Sequence, residues 1–172
     1  KPALFEPLGP DAKTAAIPVE HFDLRGAAVD EDKQAPTHRI EAKRLAREGA
    51  DGIVISGRRA ALGEAAAAEV RALGTECTFV PADMANADDC VRLMATAIAD
   101  LGSVNALVNS AATTDRGTLL DTTLDMWQQQ MDTNARGPFL LMQALVRHLL
   151  ERQAAGSIVN VLSQSAHCGQ SF

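Results

Sequence analysis

The chain has 172 residues, 47% hydrophobic and 22% charged, proportions that fit one globular domain with a real core and argue against disorder. Acidic residues outnumber basic ones 22 to 16, a net charge of −6, which is the wrong sign for a nucleic-acid or anionic-membrane surface. No apolar run approaches the roughly 18 residues of a membrane span, no signal-like segment opens the chain, and Cys77, Cys90 and Cys168 have neither disulfide nor metal-site spacing, so the expected setting is cytoplasmic and without a metal.

Residues 1–22 hold Pro2, Pro7, Pro10 and Pro18 and show no period. They read as an N-terminal arm before one domain over 23–172. Helix-like and strand-like segments alternate from there. Ile40–Glu48 is a helix closed by Gly49. Gly52–Ser56 is a short apolar run, the pattern of a buried strand. Ala60–Leu73 is an Ala- and Glu-rich helix with Leu62, Val70 and Leu73 as apolar markers and Gly74 as its stop. Glu76–Ala82 is a strand ended by Asp83. Ala87–Leu101 is a helix with Val91, Met94 and Ile98 on one face, closed by Gly102. Val104–Val108 is a strand, Leu124–Leu150 a long helix bent or broken at Pro138, and Ser157–Leu162 a strand. A start at Lys1 and an end at Phe172, directly after a strand-like run, read as part of a longer protein.

Strands apolar on both faces, alternating with helices, specify an α/β doubly wound parallel sheet covered on both sides. Ligands in such sheets sit at the carboxyl ends of the strands. The residues there are Gly57-Arg58-Arg59, Asp83, Asn109-Ser110-Ala111-Ala112 and Ser163-Gln164-Ser165. Small residues let the backbone approach a dinucleotide, and polar ones fix its orientation.

Six segments in order, LAREGA (45–50), ISGRR (55–59), PAD (81–83), LVNSAA (107–112), MDTNARGPF (131–139) and GSIVNVLSQSA (156–166), resemble the short-chain dehydrogenase/reductase family over about residues 44–172. The resemblance implies a Rossmann-like fold, incomplete here on its C-terminal side, and a cofactor site. In LVNSAA, Asn109 matches the first Asn of the family's Asn-Asn-Ala-Gly turn, Ala111 its Ala, while Ser110 and Ala112 replace the second Asn and the Gly. That turn supports the central strand and lines the adenosine side of the cofactor. Asp83 matches the adenine-contacting Asp; a loop or helix-capping carboxylate is the plainer reading of it. Arg58 and Arg59 stand where an acidic residue would bind the ribose 2′-hydroxyl of NAD, and an Arg fork pairs instead with a 2′-phosphate. The expected cofactor is NADP, with NAD possible. Asn134 matches the helix Asn that holds a water in a proton relay, and Ser163, third after Asn160, matches the catalytic Ser whose hydroxyl bonds the substrate oxygen; Ser165 is its rival. His167 and Cys168 follow in the loop expected to approach substrate.

The sequence departs from the family in two places. The glycine-rich pyrophosphate loop belongs near residues 31–38, after a first strand at Ala27-Ala28-Val29. That stretch reads Glu-Asp-Lys-Gln-Ala-Pro-Thr-His, with no glycine and two carboxylates that would repel phosphates. The family's Tyr-x-x-x-Lys general acid/base is the second departure, for this sequence contains no tyrosine. The strand at 157–162 is then expected as a bare sheet edge. By resemblance the chain is an NAD(P)-dependent oxidoreductase acting on a small-molecule carbonyl or secondary alcohol, with the long helix pairing subunits into dimers or tetramers. The alternative is a catalytically incomplete relative that serves as a binding or interaction module.

Overall fold

A computed structural model describes residues 16–18, 37–114 and 117–163. The elements in chain order are β1 (Ala16–Pro18), α1 (Thr37–Arg47), β2 (Gly52–Gly57), α2 (Ala60–Arg71), β3 (Glu76–Pro81), α3 (Ala87–Leu101), β4 (Ala106–Asn109), α4 (Leu124–Met131), a π-helical turn (Asp132–Arg136), α5 (Gly137–Glu151) and β5 (Ser157–Asn160).

All strand pairs are parallel. Pro18 stands opposite Ser56, Gly57 opposite Pro81 and Asn109 opposite Asn160. β1 is bonded to β2 and lies beside β4, so the strands run 3-2-1-4-5 across the molecule. The order reverses between β1 and β4, and the two halves of a doubly wound sheet part there to leave a crevice at the carboxyl ends.

Strand alternation divides the core. Ile53 and Ile55 of β2 point to the side of α1 and α2, where they meet Ala42, Ala67, Val70 and Phe79. Val54 points to the other side, into Leu93, Met94, Leu107, Leu141 and Leu145 from α3, β4 and α5. β2 is buried along its whole length. Gly63 brings α2 directly onto Phe79, because an added Cβ would overlap the phenyl ring. α3 begins at Asn86, whose side-chain oxygen accepts from the N–H groups of Asp88 and Asp89, and ends at Gly102 in the left-handed conformation, φ 69°.

The first strand lies at Ala16–Pro18, inside the stretch whose prolines suggest an arm; Ala27–Val29, the expected strand, falls outside the described residues. Proline at position 18 is tolerated because it closes a three-residue strand. α1 starts at Thr37, earlier than the expected Ile40, and takes in the end of the stretch expected as a phosphate loop. The long helix is in three parts. Its irregularity, the π-helical turn at Asp132–Arg136, lies just ahead of Pro138, whose ring lacks an N–H and crowds the carbonyl four residues back, so a regular helix is disfavoured there. β5 pairs with β4 and, among the described residues, is exposed throughout.

Candidate active site

Parallel register carries the four strand-end sets to one edge of the sheet. Arg58 and Arg59 follow β2, Asp83 comes two residues after β3, Asn109 ends β4, and Ser163 stands three residues beyond β5. Arg58, Arg59 and Ser163 are exposed, Asp83 is half-buried, and Asn109 and Ala111 are buried.

Asp83 is a turn-former first. Its Oδ1 accepts the Ala85 N–H at 2.9 Å, and its own N–H donates to Asp89 Oδ2 at 2.8 Å. This one bond from the Asp83 amide, joined by the Arg92 guanidinium, holds the Asp89 carboxyl below the usual carboxylate range. Arg92 also donates to the Pro81 carbonyl at 2.7 Å. The plainer reading of Asp83, a loop carboxylate, describes one of its oxygens. A carboxylate has a second oxygen with which to accept from a ligand.

Asn109 donates from Nδ2 to Asn160 Oδ1 at 2.8 Å, a side-chain bond between two residues opposite each other in the ladder. Its Oδ1 is buried without a partner among the described residues, as is Ser56 Oγ at the end of β2. Unpaired buried acceptors are uncommon away from sites that meet another group. Ser110 adds a bond to Glu41 of α1, and burial nevertheless pushes the Glu41 carboxyl above its ordinary range. Glu41 Oε2 is unpartnered among the described residues.

Asn134 lies at the centre of the π-helical turn. Its Oδ1 accepts from the Thr113 N–H and its Nδ2 donates to the Thr113 carbonyl, both at 2.8 Å. The carboxamide thus clasps the loop that follows β4, a contact its sequence position gives no hint of. Arg136, two residues on, donates to the Ala85 carbonyl at 2.6 Å and pairs with Asp132 at 2.9 Å. Arg136 and Gly137 stand next to Asn134 within the motif MDTNARGPF, which is the only signal that would have found them. Asn160, too, lies inside a quoted motif.

Cys77 and Cys90 are buried free thiols, pushed up to about 12 and about 11 by burial, so neither is a nucleophile near neutral pH. Ser165, His167 and Cys168 lie outside the described residues, as do residues 31–36 of the expected phosphate loop. Among the described residues no helix is long and apolar enough to cross a membrane.

The donor set fits the adenosine half of a dinucleotide: two guanidinium groups after β2, a carboxylate after β3 and a small-residue turn after β4. A family profile described as short chain dehydrogenase matches residues 39–172. Dehydrogenase/reductase SDR family member 4 of Pongo abelii is 34% identical over 126 residues, which is 73% of this chain and 45% of that protein. The 3-oxoacyl-[acyl-carrier-protein] reductase of Synechocystis sp. is 34% identical over 125 residues, 73% of this chain and 50% of that protein. The chain spans about half the length of these relatives. A solved structure of actinorhodin polyketide ketoreductase with NADPH superposes with a TM-score of 0.76 at 22% identity, covering 93% of this chain and 56% of that one; at that identity the likeness is one of fold.

Proposed function

Because this chain belongs to the short-chain dehydrogenase family, we propose that it is the cofactor-binding portion of an NAD(P)-dependent oxidoreductase that interconverts a small-molecule carbonyl and the corresponding alcohol. The observation that carries the reading is the gathering of Arg58, Arg59, Asp83, Asn109, Ala111 and Ser163 at the carboxyl ends of parallel strands within the matched segment. A nicotinamide cofactor supplies the hydride when bound.

The chain's own residues bind and orient. Arg58 and Arg59 offer fork-shaped cations to a ribose 2′-phosphate, which favours NADP over NAD. Asp83 offers an acceptor to the adenine amino group, and Asn109 and Ala111 wall the adenosine side. Ser163 Oγ donates to the substrate oxygen and stabilises charge gathering on it. Asn134 has one carboxamide proton and one lone pair beyond those spent on Thr113, enough to hold one relay water. The setting proposed is cytoplasmic, with pairing through the α4–α5 helix into dimers or tetramers.

The test is a fluorescence titration of NADPH and NADH into the chain and its Arg58→Ala variant. The reading expects tighter binding of NADPH, and a loss on Arg58→Ala of about tenfold for NADPH with little change for NADH, the worth of one charge-assisted contact. Equal binding of the two cofactors would overturn the phosphate assignment. No binding of either would favour the second reading, an interaction module.

A further inference from the structure

The turn that carries Asp83 is held from two directions. From α3, the next element in the chain, Asp89 takes the Asp83 N–H and Arg92 takes the Pro81 carbonyl. These are local contacts of a kind any strand-to-helix turn can make. From the far side of the site comes Arg136, 51 residues along the chain, with its guanidinium on the Ala85 carbonyl at 2.6 Å. The guanidinium is itself fixed by Asp132 at 2.9 Å, and Asp132 is bonded by Gln128 at 2.7 Å. Beside it, Gly137 is bare against the Met84 backbone, where an added Cβ would fall 2.5 Å from the carbonyl oxygen.

The same five-residue turn holds the loop after β4 through Asn134 and Thr113. Positions two apart on a helix point to opposite sides. Asn134 and Arg136 therefore reach different loops from one short segment, each by a hydrogen bond to backbone. A π-helical turn inserts one residue into a helix and re-aims the side chains around it.

We infer that Arg136 is a positioning residue for the turn bearing Asp83, and that residues 132–136 couple that turn to the loop after β4. The ligand half of this inference rests on the proposed cofactor site; the positioning half does not. An adenosine-side ligand that orders the turn at 83–86 then also orders Thr113 and the Asn134 carboxamide.

Amide hydrogen exchange on the full chain reads both halves. Arg136→Met keeps the aliphatic stem and removes the donors, and Arg136→Lys keeps one donor. Without ligand, exchange at Ala85 and Asn86 should rise about tenfold in Arg136→Met, as loss of one charged hydrogen bond implies, and by less in Arg136→Lys, while Ile55 in β2 stays unchanged. With 2′,5′-ADP as the adenosine-side probe, the Thr113 amide should gain protection in the parent chain and not in Arg136→Met. Unchanged exchange at Ala85 and Asn86, or a rise that extends equally to Ile55, would overturn the positioning role. Equal protection of Thr113 in both proteins would overturn the coupling. Should the parent chain fail to bind 2′,5′-ADP, the cofactor reading and the coupling fall together, and the ligand-free exchange still decides the role of Arg136. If Arg136→Met does not fold, the Arg136→Lys comparison at Ala85 carries the same decision.

Discussion

β2 and β5 are written in nearly the same letters, GIVISG and SIVN followed by Val161 and Leu162. Ile53, Val54 and Ile55 are 0% exposed, whereas Ile158 is 36%, Val159 40% and Leu162 77% exposed. The difference is one of neighbours. β2 has a strand on each side and helices on both faces, while β5 has β4 on one side among the described residues. Apolar letters announce that a strand is suited to burial; whether the burial occurs depends on what packs around it.

The largest expected effect tests that contrast directly. Ile55→Ala should cost about 2–5 kcal/mol by urea unfolding, because the cavity sits in a close-packed layer. Ile158→Ala should cost less than about 1 kcal/mol, as exposed positions do. Equal losses would mean that β5 is covered in solution, for instance by a second copy of the chain. Next in size is Gly137→Ala. Its Cβ would meet the Met84 carbonyl oxygen at 2.5 Å, an overpacked contact with backbone that should cost about 1–3 kcal/mol and lower the melting temperature.

Much of this was legible in advance. The alternation from residue 52 onward locates every later strand and helix, because both faces of the sheet are buried and the apolar runs are short. The strand-end residues were legible for the same reason. The first strand was not, since three residues with a proline among them carry no period; the irregularity ahead of Pro138 was, because a proline disturbs the turn before it, although its π-helical form was not. The clasp of Asn134 on Thr113 and the reach of Arg136 to Ala85 cross 21 and 51 residues, and no local pattern encodes a contact at that range.

Two smaller effects are titrations, and they run in opposite directions. Glu41 is raised in the fold by burial, so the stability it contributes is present below the ordinary carboxylate range and is lost as pH rises through the raised value. Glu41→Gln keeps the polar shape without the charge. Its unfolding midpoint should come to exceed that of the parent chain as pH rises out of the ordinary carboxylate range and through the raised value, and the gap should level off beyond it. Asp89 is lowered by the Asp83 amide and Arg92, so its contribution is present above the ordinary range and is lost as pH falls through the lowered value. Asp89→Asn should be slightly less stable at neutral pH, with the deficit vanishing in strong acid. As an exposed pair with Arg92, it is the smallest effect of the set.

The most direct test of the functional account is a map of backbone amide chemical shifts while NADPH is titrated into the chain. The account predicts saturable changes gathered at residues 57–59, 83–86 and 109–113, with a smaller response near Asn134. Saturable changes confined to β5 or α4, or no changes at all, would contradict it.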